Sequence, residues 1–247
     1  MISLLTWGGI VGLRKTDIEL VENLEQILST LRHELGNSVN SLKITLDVLR
    51  ENYDLFDDAK KKEYLKRGAR LLARQQQLVD AMKSYSQFKV KEQSEIAFLS
   101  FWKHFLSSAS SRVEDANIKL IHHREVEPCL IMGDSAALNK IMASIVENAM
   151  EAVEGMDDPV IELKVSKTNS SLKIVVEDNG SGIRKNDMPR VFTPLFTTKP
   201  GKMGMGLPIA RKLLLEMEGR IKVDSVFGSG TKARVWLKSV GGQERGT

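Results

Sequence analysis

Cysteine is almost absent from this chain of 247 residues, in which Cys129 is the single one. One thiol cannot form an intramolecular disulfide, so the sequence excludes a disulfide-stapled fold and points to a reducing compartment such as the cytoplasm. A large excess of one charge is also lacking: the formal net charge of +4 is too small to indicate a nucleic-acid partner. With 42% hydrophobic and 28% charged residues, the composition is that of an ordinary soluble chain of one or two domains.

The N-terminus lacks a hydrophobic run long enough to span a bilayer. Met1–Leu13 contains no charged residue, but its apolar part is only about twelve residues long, whereas a spanning helix needs about 20. The segment also lacks the basic leader of a signal peptide. Residues 1–13 are therefore predicted to form an apolar arm. It could pack on the protein, anchor at a membrane interface or be the remnant of a truncated membrane segment, and the sequence leaves these three open.

Proline is absent from residues 14–53, which follow a helical pattern. Positions four and three apart form a heptad-like stripe in which two of the eight residues are polar. The stripe consists of Leu24, Leu28, Leu31, Leu35, Ser38, Leu42, Thr45 and Leu49. Residues 54–58 interrupt the pattern, and Asp57 or Asp58 is predicted to cap the next helix.

A second helix is predicted from residue 59 to about residue 88. Its apolar stripe is equally narrow and consists of Leu65, Leu72, Val79 and Met82. Two such helices bury little surface alone, so residues 14–91 are predicted to be a helical hairpin that pairs with a second copy into a four-helix bundle. Residues 14–58 carry ten acidic and five basic residues, and residues 59–91 carry two acidic and ten basic ones. Opposite charges on the two antiparallel helices would help to set how they pair. The basic residues of the second helix can also simply form a solvated face.

Two glycine pairs mark a candidate nucleotide site in the C-terminal half. A strand-like run ends at Asp178 and is followed by Gly180 and Gly182; Gly204 and Gly206 open a helical run about twenty residues later. Backbone N–H groups at a glycine-rich helix N-terminus bind anions. An Asp that accepts from an exocyclic amine, followed by such an anion site, suits a nucleotide such as ATP. One pair alone is usually a tight turn.

A helix predicted from Leu138 to Val153 places Asn148 among apolar neighbours. A buried Asn needs a partner, so this side chain either makes a structural hydrogen bond or gives one oxygen to a phosphate-bound Mg²⁺. The residues alone leave both interpretations open. His122 and His123 show no metal-ligand spacing and are interpreted as structural.

The C-terminal motifs together resemble the N, G1, F and G2 boxes of sensor histidine kinases, within the ATPase superfamily shared with DNA gyrase and MutL. The matching positions are Asn148, Asp178, Gly180, Gly182, Phe192, Thr197, Thr198, Lys199, Gly204, Gly206 and Leu207. The resemblance covers residues 94–240 and implies an ATP-binding catalytic domain there. It is expected to be an α/β sandwich with a mixed sheet and helices on one face, which makes the whole chain an α/β two-domain protein.

The resemblance also implies roles for these residues. Asn148 would hold Mg²⁺, and Asp178 would bind the adenine amine with Thr231 near it. The glycines of the lid (residues 180–204) and the start of the following helix at Gly206 and Leu207 would cradle phosphate, with Lys199 reaching it.

Strands are predicted at residues 119–123, 128–132, 160–167, 171–178, 220–225 and 232–237.

The first helix carries a second resemblance. With Leu28 and Leu31 on the stripe, His33 takes the most exposed heptad position, where a histidine is usually a plain surface residue. The run from His33 through Glu34, Leu35 and Gly36 to Asn37 resembles the H box of the same kinases, whose His accepts the γ-phosphoryl group. A neutral imidazole is a competent nucleophile, and Glu34 is placed to hold its tautomer and take the proton.

Three positions depart from the family pattern. Gly36 stands where Arg, Lys or Asn is common, and Ser38 stands where Pro is common. Without that Pro the helix keeps its backbone hydrogen bond, while Gly36 costs about 1 kcal/mol of helix propensity relative to Ala. Ser144 replaces the Asn of the kinases and the Glu base of the hydrolytic relatives, which argues against a dedicated ATP hydrolase.

The sequence therefore predicts an ATP-dependent protein histidine kinase. A homodimer would autophosphorylate His33 and pass the phosphoryl group to an Asp of a response-regulator receiver domain. Asn37, one turn after His33, matches the Glu-x-x-Thr/Asn pattern of bifunctional kinases, in which the Thr or Asn orients a water that dephosphorylates the receiver; otherwise it is only an exposed polar residue. The alternative is a non-catalytic dimeric adaptor, or nucleotide-gated scaffold, that docks a receiver.

Overall fold

The computed structural model describes residues 15–125, 127–168, 170–199 and 201–240. The predicted arm, Met1–Leu13, lies outside these residues, and so does the side chain of Leu24. Of the helices that are described, none is both long enough and apolar enough to cross a membrane.

The first half of the chain is a helical hairpin. Helix α1 spans Lys15–Glu51 and helix α2 spans Asp58–Gln87. The N-cap of α2 is Asp57, whose carboxylate accepts a hydrogen bond of 2.7 Å from the N–H of Lys60. This satisfies one of the N–H groups that a helix start leaves without an intrahelical partner.

The stripes predicted for the two helices are only partly buried within a single hairpin. Helix α1 buries Leu31 and Leu49 of the predicted stripe, but the stripe predicted for α2 is 36–58% exposed. The residues that α2 buries instead are Gly68, Leu78, Ala81 and Tyr85. Gly68 packs against α1, where a methyl group of Leu42 lies 3.8 Å from its Cβ position.

A second apolar stripe therefore runs along the outside of the hairpin, and we call it the outer stripe. On α1 it consists of Leu28, Leu35, Val39, Leu42 and Leu46, and on α2 of Leu65, Leu72, Val79 and Met82. Leu35 and Leu42 are half-buried, whereas the others are exposed in the single chain.

The second half is an α/β domain. Its strands are β1 Ser94–Ala97, β2 Lys119–Glu125, β3 Leu130–Gly133, β4 Val160–Lys167, β5 Ser171–Asp178, β6 Arg220–Val226 and β7 Gly230–Val240. They form a sheet of order β1-β3-β7-β5-β4-β2, with β6 also paired to β7. The β2–β4 pair is parallel and the other pairs are antiparallel, which confirms the mixed sheet. Strand β1 was not predicted; it pairs with β3, with Ile96 opposite Ile131.

Three helices, α3 (Phe98–Asp115), α4 (Ser135–Ala152) and α5 (Gly206–Glu216), cover one face of this sheet. The strands alternate accordingly: in β4, Leu163 is fully buried, while Glu162 and Lys164 pair with each other on the other face. The prediction of helices on one face is confirmed. A 3₁₀ turn at Met188–Arg190 lies in the lid.

Helix α5 holds the end of the hairpin. The ammonium group of Lys212, only 14% exposed, donates to the carbonyl oxygens of Tyr85 at 2.9 Å and Phe88 at 2.6 Å. The carboxylate of Glu216 accepts from the N–H of Val90 at 2.7 Å. Burial lowers the pKa of Lys212, and the nearby Glu216 opposes this. A side chain of the α/β domain thus satisfies the carbonyl group of Tyr85 near the end of α2 and that of the C-cap residue Phe88.

Candidate functional site

The predicted nucleotide-site residues meet in one cleft. It has a volume of about 690 Å³ and lies between α4, the end of β5, the lid and the start of α5. Of the predicted binding residues, those that line it are Asn148, Asp178, Gly182, Lys199, Gly204, Gly206, Leu207 and Thr231. Gly180 lies behind the wall, where a Cβ atom would collide with the carbonyl group of Ala152.

Asp178 is the most buried acidic group of the cleft, at 8% exposure. Its Oδ1 accepts hydrogen bonds from the N–H of Gly180 at 3.0 Å and of Thr231 at 3.2 Å, because Thr231 is its partner in the β5–β7 register. No donor among the described residues contacts Oδ2. Burial raises the pKa of this carboxyl group, against the effect of the two N–H groups and of Lys199.

Two glycines have positive φ and hold the lid against its neighbours. Gly182 has φ +63°, and a Cβ atom there would collide with the carbonyl group of Val226. Gly204 has φ +62°, and its Cβ atom would collide with the carbonyl group of Phe196. Both positions therefore require glycine for conformation and for space.

The N-terminus of α5 lies on α4 at the floor of the cleft. The Cβ position of Gly206 is 3.6 Å from the Cβ of Ser144 and 3.7 Å from Nδ2 of Asn148. Ser144 is 2% exposed, and its hydroxyl group has no partner among the described residues. The small residues at 144 and 206 allow this close approach. It brings the N–H groups of Gly206 and Leu207, which have no partner among the described residues, next to Asn148.

The lid lysines are held by a residue that the sequence did not indicate. The carboxylate of Glu151 contacts Nζ of Lys199 at 2.8 Å and Nζ of Lys202 at 2.6 Å. Lys199 also donates to the backbone carbonyl of Asn148 at 3.3 Å. Burial acts to raise the pKa of Glu151, but the two lysines outweigh it and hold the pKa below its ordinary value. Its position three residues after Asn148, on the same face of α4, is the signal that could have indicated it.

One turn of helix α1 brings His33 and Asn37 together. His33 is exposed on α1, and Nδ2 of Asn37 lies 3.2 Å from its Nδ1, one helical turn away. Glu34 does not contact the ring among the described hydrogen bonds. Its carboxylate pairs at 3.1 Å with Arg74 of α2. The i+4 residue faces the ring and the adjacent Glu34 faces the second helix, and the role of Glu34 toward His33 stays a prediction.

Comparison with protein-family models gives two matches. Residues 23–89 match the "His Kinase A (phospho-acceptor) domain" and residues 133–240 match the "Histidine kinase-, DNA gyrase B-, and HSP90-like ATPase". Among curated proteins, the chain is 24% identical over 257 aligned residues to Sporulation kinase C of Bacillus subtilis, covering 95% of this chain and 56% of that protein. It is 29% identical over 141 residues to Sensor histidine kinase ZraS of Salmonella typhi, covering 57% of this chain and 30% of that protein.

Solved structures agree on the fold. The catalytic domain of the histidine kinase ThkA matches with a TM-score of 0.54 and 21% identity, over 60% of this chain and 96% of that one. The histidine kinase ThkA in complex with the response regulator protein TrrA matches with a TM-score of 0.63 and 19% identity, over 94% of this chain and 67% of that one. The chain spans about half or less of the length of the curated relatives named above. Since a phospho-acceptor domain model and an ATPase domain model follow each other along the chain, this protein belongs to the sensor histidine kinases.

Proposed function

We propose that this protein is an ATP-dependent protein histidine kinase that phosphorylates its own His33 and passes the phosphoryl group to an Asp of a response-regulator receiver domain. The observation that carries the proposal is the presence, in one chain, of an exposed histidine on a two-helix hairpin and a cleft in an ATPase-type domain. Residues 14–91 would be the phosphoacceptor and dimerisation domain, and residues 94–240 the catalytic domain.

The cleft suits an adenine nucleotide. Oδ1 of Asp178 is occupied by the N–H groups of Gly180 and Thr231, so Oδ2 is left to accept from the adenine amine. The phosphates would lie at the N-terminus of α5, whose free N–H groups and helix dipole favour anions. Lys199 supplies a cation on the lid side of the same cleft.

Asn148 suits a nucleotide-bound Mg²⁺. Its carboxamide lines the cleft and has no hydrogen-bond partner among the described residues. The described residues contain no group of three His, Cys, Asp or Glu side chains that could hold a metal ion by themselves. Mg²⁺ keeps several waters and binds through few protein oxygens together with phosphates, so one carboxamide oxygen fits this need. When bound, the ion would neutralise phosphate charge during transfer.

The transfer step needs a free lone pair on His33. Nε2 would attack the γ-phosphorus of ATP, the bond from that phosphorus to the bridging oxygen would break, and ADP would leave. Nε2 is free when the ring proton sits on Nδ1. The carboxamide of Asn37 lies against Nδ1, and rotation of that group by 180° presents its oxygen to the Nδ1 proton.

The outer stripe supports a homodimer. Its exposed leucines repeat at heptad spacing on both helices, so a second hairpin would bury them and complete a four-helix bundle. Each chain would then contribute two helices to one core.

Incubation with γ-labelled ATP tests the proposed function. We expect an acid-labile label on the wild type and none on His33→Gln, which keeps a polar side chain but has no nucleophilic ring nitrogen. Nucleotide binding without label on the wild type would favour the non-catalytic adaptor. A label that persists in His33→Gln would place the phosphoacceptor elsewhere.

A second activity, dephosphorylation of the receiver, is supported by the contact between Asn37 and His33. The carboxamide is exposed on the face of α1 that carries His33. It can hydrogen-bond a water without attacking phosphorus itself, which is what hydrolysis of a docked phospho-aspartate requires.

A further inference from the structure

Glu151 is the acidic residue that faces the lid across the nucleotide cleft. Each of its carboxylate oxygens contacts a different lysine, Oε2 at 2.8 Å from Lys199 and Oε1 at 2.6 Å from Lys202. The carboxylate is 21% exposed, and Lys199 is further fixed by the Asn148 carbonyl. One helical residue thus holds two basic residues that lie 48 and 51 positions further along the chain.

This arrangement has a consequence for any anionic ligand of the cleft. Glu151, Lys199, Lys202 and Asn148 all line it, so the ammonium groups are bonded within the space in which the ligand must bind. A phosphate group that bonds to the ammonium group of Lys199 or Lys202 must either displace the carboxylate of Glu151 or share the lysine with it. Both cost binding free energy, because the carboxylate contacts are lost or because two anions come close together.

We propose that Glu151 is an affinity-determining residue of the nucleotide site: it holds Lys199 and Lys202 in the nucleotide-free protein, and the phosphates of the nucleotide take them over. This inference rests on the proposed function, which supplies the nucleotide. Glu151 therefore weakens the binding of phosphate-bearing nucleotides and leaves the binding of the base and ribose unchanged. Removing its charge frees the lysines before the ligand arrives, so the binding-competent fraction rises.

Calorimetry on Glu151→Gln tests the proposal, with ADP and Mg²⁺ as one ligand and adenosine as the other. We expect ADP to bind the variant roughly two- to thirtyfold tighter than the wild type, the range for releasing two partly exposed ion pairs. Adenosine affinity should stay within about twofold, since adenosine has no phosphate to compete with the carboxylate. Hydrogen exchange of the nucleotide-free variant should be faster in the lid peptides around Lys199 and Lys202.

Glu147→Gln is the matched control. Glu147 lies on the same helix and lines the same cleft, but it pairs with Arg112 of α3 at 2.9 Å instead of with the lid. The control removes the same charge, so its effect on ADP affinity measures the general electrostatic contribution. We expect it to change ADP affinity less than about twofold.

The outcomes separate this inference from the proposed function. ADP binding that Glu151→Gln leaves unchanged or weakens would overturn the inference alone, and weakening would mean that Glu151 orients the lysines for phosphate. Equal tightening by Glu147→Gln would also overturn it. A wild type that binds no adenine nucleotide would overturn the proposed function and this inference with it.

Discussion

Asp178→Asn is the substitution that most directly tests nucleotide recognition. Among the residues that the structure describes, only Oδ1 of Asp178 accepts hydrogen bonds, from the N–H groups of Gly180 and Thr231. An Asn in the same rotamer keeps both bonds through its own Oδ1. It presents an NH₂ group where the carboxylate presented Oδ2, so the change acts on the ligand and leaves the turn intact.

The expected loss follows from the chemistry of that one atom. An adenine amine that donated to a carboxylate would meet a second donor, and a hydrogen bond to a charged group contributes about 1.5–3 kcal/mol. At about 1.4 kcal/mol per factor of ten, ADP and ATP should bind roughly 10- to 150-fold more weakly. A guanine nucleotide carries an acceptor oxygen at the corresponding position, so its affinity should fall much less. Calorimetry with ADP and GDP measures both, and an unchanged ADP affinity would refute the assignment of Asp178.

Acid pH offers a second measurement on the same variant. Burial raises the pKa of Asp178 above its ordinary value of 3.8, so its charged form is disfavoured in the folded protein. The contribution of such a group to stability is present below the unfolded pKa and is lost as the pH rises through the folded pKa. The variant should therefore melt at a higher temperature than the wild type at pH 7, and the difference should disappear below pH 3.8. A variant that is less stable at pH 7 would contradict this reasoning.

Three further substitutions test other parts of the molecule. Leu35→Asp places a charge on the outer stripe and should weaken dimerisation roughly 150- to 5,000-fold, because an unpaired buried charge costs about 3–5 kcal/mol. Light scattering that finds a monomeric wild type able to phosphorylate itself would refute the dimer. Asn37→Ala should slow receiver dephosphorylation in the presence of ADP more than tenfold, roughly the effect of losing the group that positions the water. Phosphorylation of His33 should change much less. Equal dephosphorylation rates for the wild type and Asn37→Ala would refute the proposed second activity. Lys212→Met keeps the packing but removes the hydrogen bonds from the ammonium group to two carbonyl groups, so the unfolding free energy should fall by about 1–3 kcal/mol, with faster hydrogen exchange after Tyr85. Lys222→Met, at an exposed ion pair, is the control and should change the unfolding free energy little.

The sequence by itself determined most of the elements, though not strand β1, and most of the cleft. Strands β4 and β5 begin and end at the predicted residues, and the hairpin helices end within two residues of the prediction. These features depend on periodicity and turn chemistry within a few residues, which the local sequence carries. The cleft was predictable for a related reason. Asp178 ends a strand and Gly206 starts a helix, so the motif positions have local signatures as well as a family resemblance.

Only the tertiary structure decided which side chains pair across those elements. Glu151 forms ion pairs with Lys199 and Lys202. Glu34 pairs with Arg74, forty residues away, instead of with the adjacent His33. The helical period alone does not choose between two neighbouring apolar stripes, so it could not indicate which residues of α2 the hairpin buries. Such contacts depend on how elements pack, since a charged side chain pairs with whichever opposite charge the fold brings within a few ångströms.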